Sequence, residues 1–159
     1  SKSMIIKFES FVKRGGWWVV AQFALFGLIL VALTGNTTPN GWLRVAGWIL
    51  VALAVVLAGT GLWLIRDKLT ALPAPLEGAV LLDRGPFALV RHPIYGGLIL
   101  GFLGLAVKGG NVAAALASLA LIPYFWAKTN QEESFLIAQI PEFAGYREQV
   151  PHRFVPWIV

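Results

Sequence analysis

The sequence predicts an all-α, polytopic membrane protein of about four transmembrane helices in two hairpins, with an N-terminal interfacial helix and a C-terminal cytoplasmic helical lid. Three observations predict it. Hydrophobic residues make up 57% of the 159 positions and charged residues 13%, against about 45–50% and about 25% in soluble domains. The apolar residues gather in long runs that a soluble core of this size would not absorb. The basic residues collect on one side of those runs. The length has room for one domain, expected over residues 4–159.

The elements follow in order. Ser1-Lys2-Ser3 precede Met4, the only methionine, and Met4 is expected to be the natural start. Met4 to Arg14 sets Ile5, Ile6, Phe8, Phe11 and Val12 among Lys7, Glu9, Lys13 and Arg14, a pattern suited to a helix lying in the membrane interface with its lysines toward anionic lipid. A helix rising 1.5 Å per residue needs about 20 apolar residues to cross roughly 30 Å of hydrocarbon. Residues 16–34 form such a run without a charge, and residues 41–65 form another, broken only by Arg44. The polar turn Gly35-Asn36-Thr37-Thr38-Pro39-Asn40 between them predicts a hairpin. The third and fourth runs, 94–107 and 112–126, are shorter and are joined by Lys108-Gly109-Gly110-Asn111; each needs its flanks, or a thinned bilayer, to span. Residues 127–159 are left as a tail. Gly97 and Gly101, with Ala113 and Ala117, are small residues four apart that let helices approach closely.

Eleven of the thirteen Lys and Arg fall in the N-terminal segment, the Arg66–Arg91 connection or the tail from Lys128. An even number of spans puts all three on one side, and the positive-inside rule makes that side the cytoplasm, with both termini there. The net charge of +5 is accounted for in this way, and no nucleic-acid partner is expected.

The absence of cysteine excludes disulfides, thiolate metal sites and cysteine nucleophiles. The two histidines, His92 and His152, are far apart, so no metal site is expected. No ionisable residue falls in the middle of a span, which weighs against a proton or drug exchanger. Chemistry is therefore expected at the cytoplasmic face.

Two clusters stand there. In Arg91-His92-Pro93-Ile94-Tyr95-Gly96-Gly97, Pro93 suits the first turn of the third span, whose free N–H groups favour an anionic group. Arg91 and His92 add donors, Tyr95 a ring and a hydroxyl, and Gly96 and Gly97 leave the backbone open to approach. A basic anchor followed by a Pro-started helix explains the same residues equally well. The second cluster is Lys128 to Ile137. Read at 100° per residue, Glu133 shares a stripe with Leu136, Ile137 and Ile140, while Glu132 points about 100° away, toward Gln139. Glu133 is then an inward carboxylate that needs a partner or a purpose, and a salt bridge to Arg91 or Arg147 is the plainer reading. The tail from Pro141 to Trp157, with Arg147 and Arg153 among aromatics and prolines, suits either a lid or headgroup contacts.

Together these residues resemble the isoprenylcysteine carboxyl methyltransferase and phospholipid methyltransferase superfamily. Its pattern runs Gly-aromatic, Arg-His-Pro-x-Tyr-x-Gly, a helical hairpin, Glu-Glu, an aromatic-rich segment and a final Arg before Pro. Here it reads Gly85-Pro86-Phe87, Arg91 to Gly97, Glu132-Glu133, Phe143 to Tyr146, and Arg153 with Pro156, over residues 77–158. The aromatic segment has Phe143 where a tyrosine is frequent, and the first half carries no family signature. The resemblance implies S-adenosylmethionine bound by Arg91, His92, Pro93, Tyr95, Gly96, Gly97, Glu132 and Glu133. It also implies a lipophilic or lipidated acceptor arriving from the bilayer.

Arg153 and Arg147 are the candidates for catalysis on a carboxylate acceptor, which needs a cation to hold it and no base, its pKa being about 4. An amine acceptor, with a pKa of about 10, needs a base such as Glu148 or Glu133. Two other classes stay open: a membrane reductase of related architecture using NADPH, and a non-catalytic membrane module.

Overall fold

The computed structural model of the chain describes residues 2–35, 37–68, 78 and 80–159. Ser1, Asn36 and residues 69–77 and 79 lie outside the described residues, so the expected basic connection between Arg66 and Arg91 is seen only at its two ends. Among the described residues the regular structure is helical throughout: α1 (Lys2–Lys13), α2 (Gly16–Leu33), α3 (Gly41–Ile65), α4 (Pro93–Lys108), α5 (Val112–Leu119), α6 (Leu121–Gln139) and α7 (Phe143–Gln149). Short 3-10 turns lie at Arg66–Lys68 and Gly85–Ala88.

α2, α3 and the stretch Val112–Gln139 are long and apolar enough to cross a membrane. α4 is apolar but has only 16 residues, about 24 Å at the helical rise, short of roughly 30 Å of hydrocarbon. The fourth run does not stop at Trp126, where the apolar residues thin out, but continues to Gln139. It is interrupted at Ala120 because Pro123 has no N–H to offer the Leu119 carbonyl. The next bond, Tyr124 N to Ala120 O, is stretched to 3.4 Å.

The two expected hairpins are built differently. α4 and α5 pack against each other, whereas α2 and α3, although consecutive, scarcely touch. α4 and α5 stand between them: α3 lies along α4, and α2 lies along α5. Turn chemistry anchors this order. Thr37 donates through its backbone N–H to the Gly109 carbonyl at 2.8 Å, and its hydroxyl reaches the Gly110 carbonyl at 3.2 Å. Asn111 caps α5 by accepting from Ala114 N at 2.8 Å and donates to the Ala32 carbonyl at 2.7 Å. Gly110 sits at φ 61°, and a Cβ there would stand 2.6 Å from the Thr37 hydroxyl, so the turn requires glycine.

The α3–α4 contact is a close one. A Cβ on Gly97 would stand 2.4 Å from Cβ of Ala58, and one on Gly104 2.8 Å from the Gly47 carbonyl. At Gly101 the same addition gives an ordinary 3.5 Å contact. The close-packing pair is therefore Gly97 and Gly104, two turns apart, rather than Gly97 and Gly101.

Ile29, Ile99, Leu121, Phe125 and Phe154 form the main core, joining α2, α4, α6 and the tail. The segment expected as a lid is thus threaded into the core, with Phe154 wholly buried. Its backbone pairs with the start of α4: Arg91 N donates to His152 O at 3.0 Å and His92 N to Arg153 O at 2.8 Å. The carbonyl of Val159 accepts from the amides of Arg153, Phe154 and Val155. A second cluster of Ile140, Phe143, Tyr146 and Val150 seats α7.

Candidate functional site

The site lies where the N-terminus of α4 meets the second half of α6 under the tail. Pro93 starts α4 as expected, with His92 as the residue before it. The buried residues of α6 are Leu121, Phe125, Lys128, Thr129, Glu132 and Glu133, an arc of two adjacent stripes at helical spacing. α2 and α4 cover one side of that arc and the tail covers the other, so both glutamates are buried. Glu132 lies on the side of Gln139, as expected, but whereas Gln139 is exposed, Glu132 is buried on the same stripe as Lys128, Phe125 and Leu121.

Glu133 is the more enclosed, at 2% exposure. Its Oε1 accepts from Arg91 Nε at 2.8 Å and lies 3.0 Å from His92 Nε2, a contact that puts a proton on that nitrogen. Arg91 also donates through Nη1 to the carbonyls of Val150 at 2.6 Å and Pro151 at 2.8 Å. The expected Arg91 salt bridge is therefore present, and it clamps the tail at the same time. Glu132 accepts from the Tyr95 hydroxyl at 2.5 Å, with Lys128 Nζ at 3.8 Å and His92 Nδ1 at 3.7 Å. His92 thus stands between the two carboxylates.

Arg153 closes the far side. Its Nη1 reaches Thr129 Oγ1 at 3.1 Å and the Trp126 carbonyl at 3.2 Å. Its Nη2 lies 3.6 Å from Glu133 Oε2, and its guanidinium lies 4.2 Å from the Trp126 ring centre. Burial pulls this guanidinium below its ordinary value; Glu133 opposes the shift, and Arg91 and Arg147 add to it. Among the described residues, two buried side-chain atoms lack a hydrogen-bond partner, Glu133 Oε2 and Arg153 Nε. Such atoms are rare and ask for an explanation.

Arg147 and Glu148 stand apart, exposed on α7. Tyr146, on the same helix, is buried and donates to the Phe87 carbonyl at 2.5 Å, tying α7 to the turn before α4. Burial raises its phenol well above the ordinary range. Gly96 and Gly97 are not open to a ligand on their Cβ sides. A Cβ on Gly96 would stand 1.9 Å from the Phe154 carbonyl, and Gly97 abuts Ala58, so both serve packing.

Sequence reasoning placed Lys128 and Thr129 in the second cluster without giving them a role, and it missed Trp126 and Gln22 as parts of this region. The four-residue step from Lys128 to Glu132 was a usable signal; nothing near Gln22, inside an apolar span, pointed to a role.

Residues 42–140 match the phospholipid methyltransferase family. The chain belongs to that family. The match holds the Arg91–Gly97 motif and the glutamate pair, and leaves Gln22, Arg147, Glu148 and Arg153 outside. Over 152 residues the chain is 32% identical to the cobalt-zinc-cadmium resistance protein CzcN of Cupriavidus metallidurans, covering 92% of this chain and 66% of that relative. Over 74 residues it is 35% identical to the protein-S-isoprenylcysteine O-methyltransferase of Schizosaccharomyces pombe, covering 45% of this chain and 31% of that protein. Its fold is that of the eukaryotic intramembrane Ras methyltransferase ICMT (isoprenylcysteine carboxyl methyltransferase), with a TM-score of 0.67 at 22% identity over 91% of this chain and 53% of that structure. This phospholipid methyltransferase family member is an integral membrane protein that spans about two thirds of the length of CzcN.

The cluster suits S-adenosylmethionine in donor type. The cofactor carries an ammonium and hydroxyls that a carboxylate accepts from, and Glu133 Oε2 is a buried acceptor without a donor. It also carries a carboxylate and ring nitrogens, and Arg153 Nε is a buried donor without an acceptor.

Proposed function

We propose that this chain is an S-adenosylmethionine-dependent methyltransferase acting on a lipid-like or prenylated acceptor, through a carboxylate or a headgroup amine, at the cytoplasmic membrane face. The observation that carries the reading is the meeting of His92 and Tyr95 on the α4 side with Glu132 and Glu133 on α6, inside the region matched to the family. Residues 4–159 then act as one domain with four spans, α4 being the short one. The distribution of Lys and Arg supports cytoplasmic termini.

When bound, the cofactor would supply a sulfonium methyl group for attack by an aligned nucleophile, its sulfur leaving as the thioether of S-adenosylhomocysteine. The chain's part is to orient the reactants and exclude water. Glu132 and Glu133 hold donor groups of the cofactor, and His92 fixes both carboxylates. Arg153, through the Nε that has no internal partner, steadies an anionic acceptor or the cofactor's own acceptor atoms. Arg147 and Glu148, exposed at the rim, serve as a second clamp and as a base for an amine acceptor.

Calorimetry of S-adenosylhomocysteine binding to the protein in lipid-containing micelles tests the reading, with Glu133→Gln as control. Saturable binding to the parent protein, lost in the variant while its melting transition is kept, is the expected result. Failure of folded parent protein to bind overturns it. A mass spectrum of lipid extract incubated with enzyme and labelled cofactor then identifies the acceptor.

A further inference from the structure

Glu132 and Glu133 are adjacent, but their counter-charges come from different places. Glu133 faces Arg91, His92 and Arg153. Glu132 faces Lys128, one turn earlier on the same helix, and His92 at a distance. Lys128 has no exposed surface at all. An ammonium so placed requires partners that hold it charged. One of them is Gln22, whose Oε1 accepts from Lys128 Nζ at 2.6 Å; the Tyr95 ring centre lies 4.8 Å from the same nitrogen. The groups meeting at this ammonium therefore come from α2, α4 and α6.

Gln22 is itself buried, in a helix that otherwise reads as a plain membrane anchor. It lies outside the residues matched to the family. A helix that only anchored the chain would have no use for a buried amide, because an amide removed from water must be hydrogen-bonded to avoid a penalty. Elsewhere α2 is held to α6 by contacts that do not touch Glu132. Tyr124 donates to the Trp18 carbonyl, and Trp18 donates to Gln131. Docking of α2 is thus served by Trp18, and Gln22 is left with a more specific partner.

We propose that Gln22 and Lys128 are positioning residues of the cofactor site. Gln22 fixes the Lys128 ammonium, and Lys128 in turn fixes the Glu132 carboxylate and the Tyr95 ring that borders it. The first span then contributes to the site directly. This rests on the reading of Glu132 as a cofactor-binding carboxylate.

The test uses the full chain in lipid-containing micelles and two readouts: S-adenosylhomocysteine affinity, and the unfolding midpoint of the ligand-free protein. Lys128→Met weakens binding about tenfold or more, the scale of one charge-assisted contact, and Gln22→Leu weakens it severalfold. Gln131→Leu, which loosens the Trp18 contact alone, leaves affinity unchanged. In the ligand-free protein, Lys128→Met combined with Glu132→Gln, and Gln22→Leu combined with Lys128→Met, give midpoints that are not additive, because each pair acts as a unit. Unchanged affinity in Gln22→Leu and Lys128→Met overturns the proposal, as does equal weakening by Gln131→Leu, which would mean that only docking of the helix matters. Additive midpoints overturn the chain from Gln22 to Glu132. If Lys128→Met does not fold, the comparison of Gln22→Leu with Gln131→Leu decides alone. If the parent protein fails to bind S-adenosylhomocysteine, the cofactor reading itself falls, whatever the midpoints show.

Discussion

The two ends of the bundle join the same helices with opposite chemistry. At the end of the Thr37 and Gly110 turns, the links are hydrogen bonds from Thr37 and Asn111 to main-chain carbonyls. At the other end Arg91, Lys128, Glu132, Glu133 and Arg153 are all buried. Each ion removed from water carries an effective penalty of several kcal/mol that its partners only partly offset. The neutral end shows that this fold can be fastened without such a penalty. The charged end therefore carries a cost that fastening alone does not require, and this excess supports the proposed binding site.

That contrast can be broken by mutation, with effects of decreasing size. Glu133→Ala leaves Arg91 and Arg153 facing each other without their shared counter-ion; it should destabilise by about 3–5 kcal/mol in an unfolding titration and abolish S-adenosylhomocysteine binding. Gly96→Ala introduces a Cβ 1.9 Å from the Phe154 carbonyl, so the tail must shift at about 1–3 kcal/mol. Hydrogen exchange should report it as faster exchange of the Arg91 and His92 amides, which are bonded to the tail. Asn111→Ala removes a cap and a link to α2 at the neutral end, for about 1–2 kcal/mol, and should leave cofactor affinity unchanged by calorimetry. Arg147→Ala, on an exposed side chain, should change stability by less than about 0.5 kcal/mol. Any loss of turnover with it, in a methyl-transfer assay, would then belong to the acceptor. Were Asn111→Ala as damaging to stability as Glu133→Ala, the contrast between the two ends would disappear.

The helices were legible in the sequence because membrane spans are written in composition. Gly16–Leu33 and Gly41–Ile65 lie within a residue of their expected bounds, since in hydrocarbon only a helix satisfies its own backbone. The packing between them was not legible. Apolar helices carry no signal of which neighbour they prefer, and a tight turn between α2 and α3 reads like a hairpin although α4 and α5 part them. Within the cluster, Arg91, His92, Tyr95 and the two glutamates stood out because charged and polar residues are rare in this chain. The burial of Glu132 did not. A stripe drawn from Leu136, Ile137 and Ile140 captured one covered face of α6, while Phe125 and Lys128 mark a second. Gln22 was hidden by its apolar neighbours, and the packing of Gly96 against the tail and of Gly97 against α3 was not legible either.

The separation of α2 from α3 has a consequence for how the protein is made. Emerging in sequence, these two helices enter the bilayer with little to hold them together, and their order is set only when α4 and α5 arrive between them. The site comes later still. Its first charged residue, Arg91, is bonded to the carbonyls of Val150 and Pro151, and its core is filled by Phe154, about sixty residues further along. Until residues 150–154 leave the ribosome, Glu132 and Glu133 have no roof. Loop closure across such separations is slow relative to helix formation, so the nascent chain passes through a stage in which its spans are inserted and its buried charges are still wet. Insertion and closure of this charged cluster are thus separate events in time, and a chain stopped before Val150 should reside in the membrane with the cluster unformed.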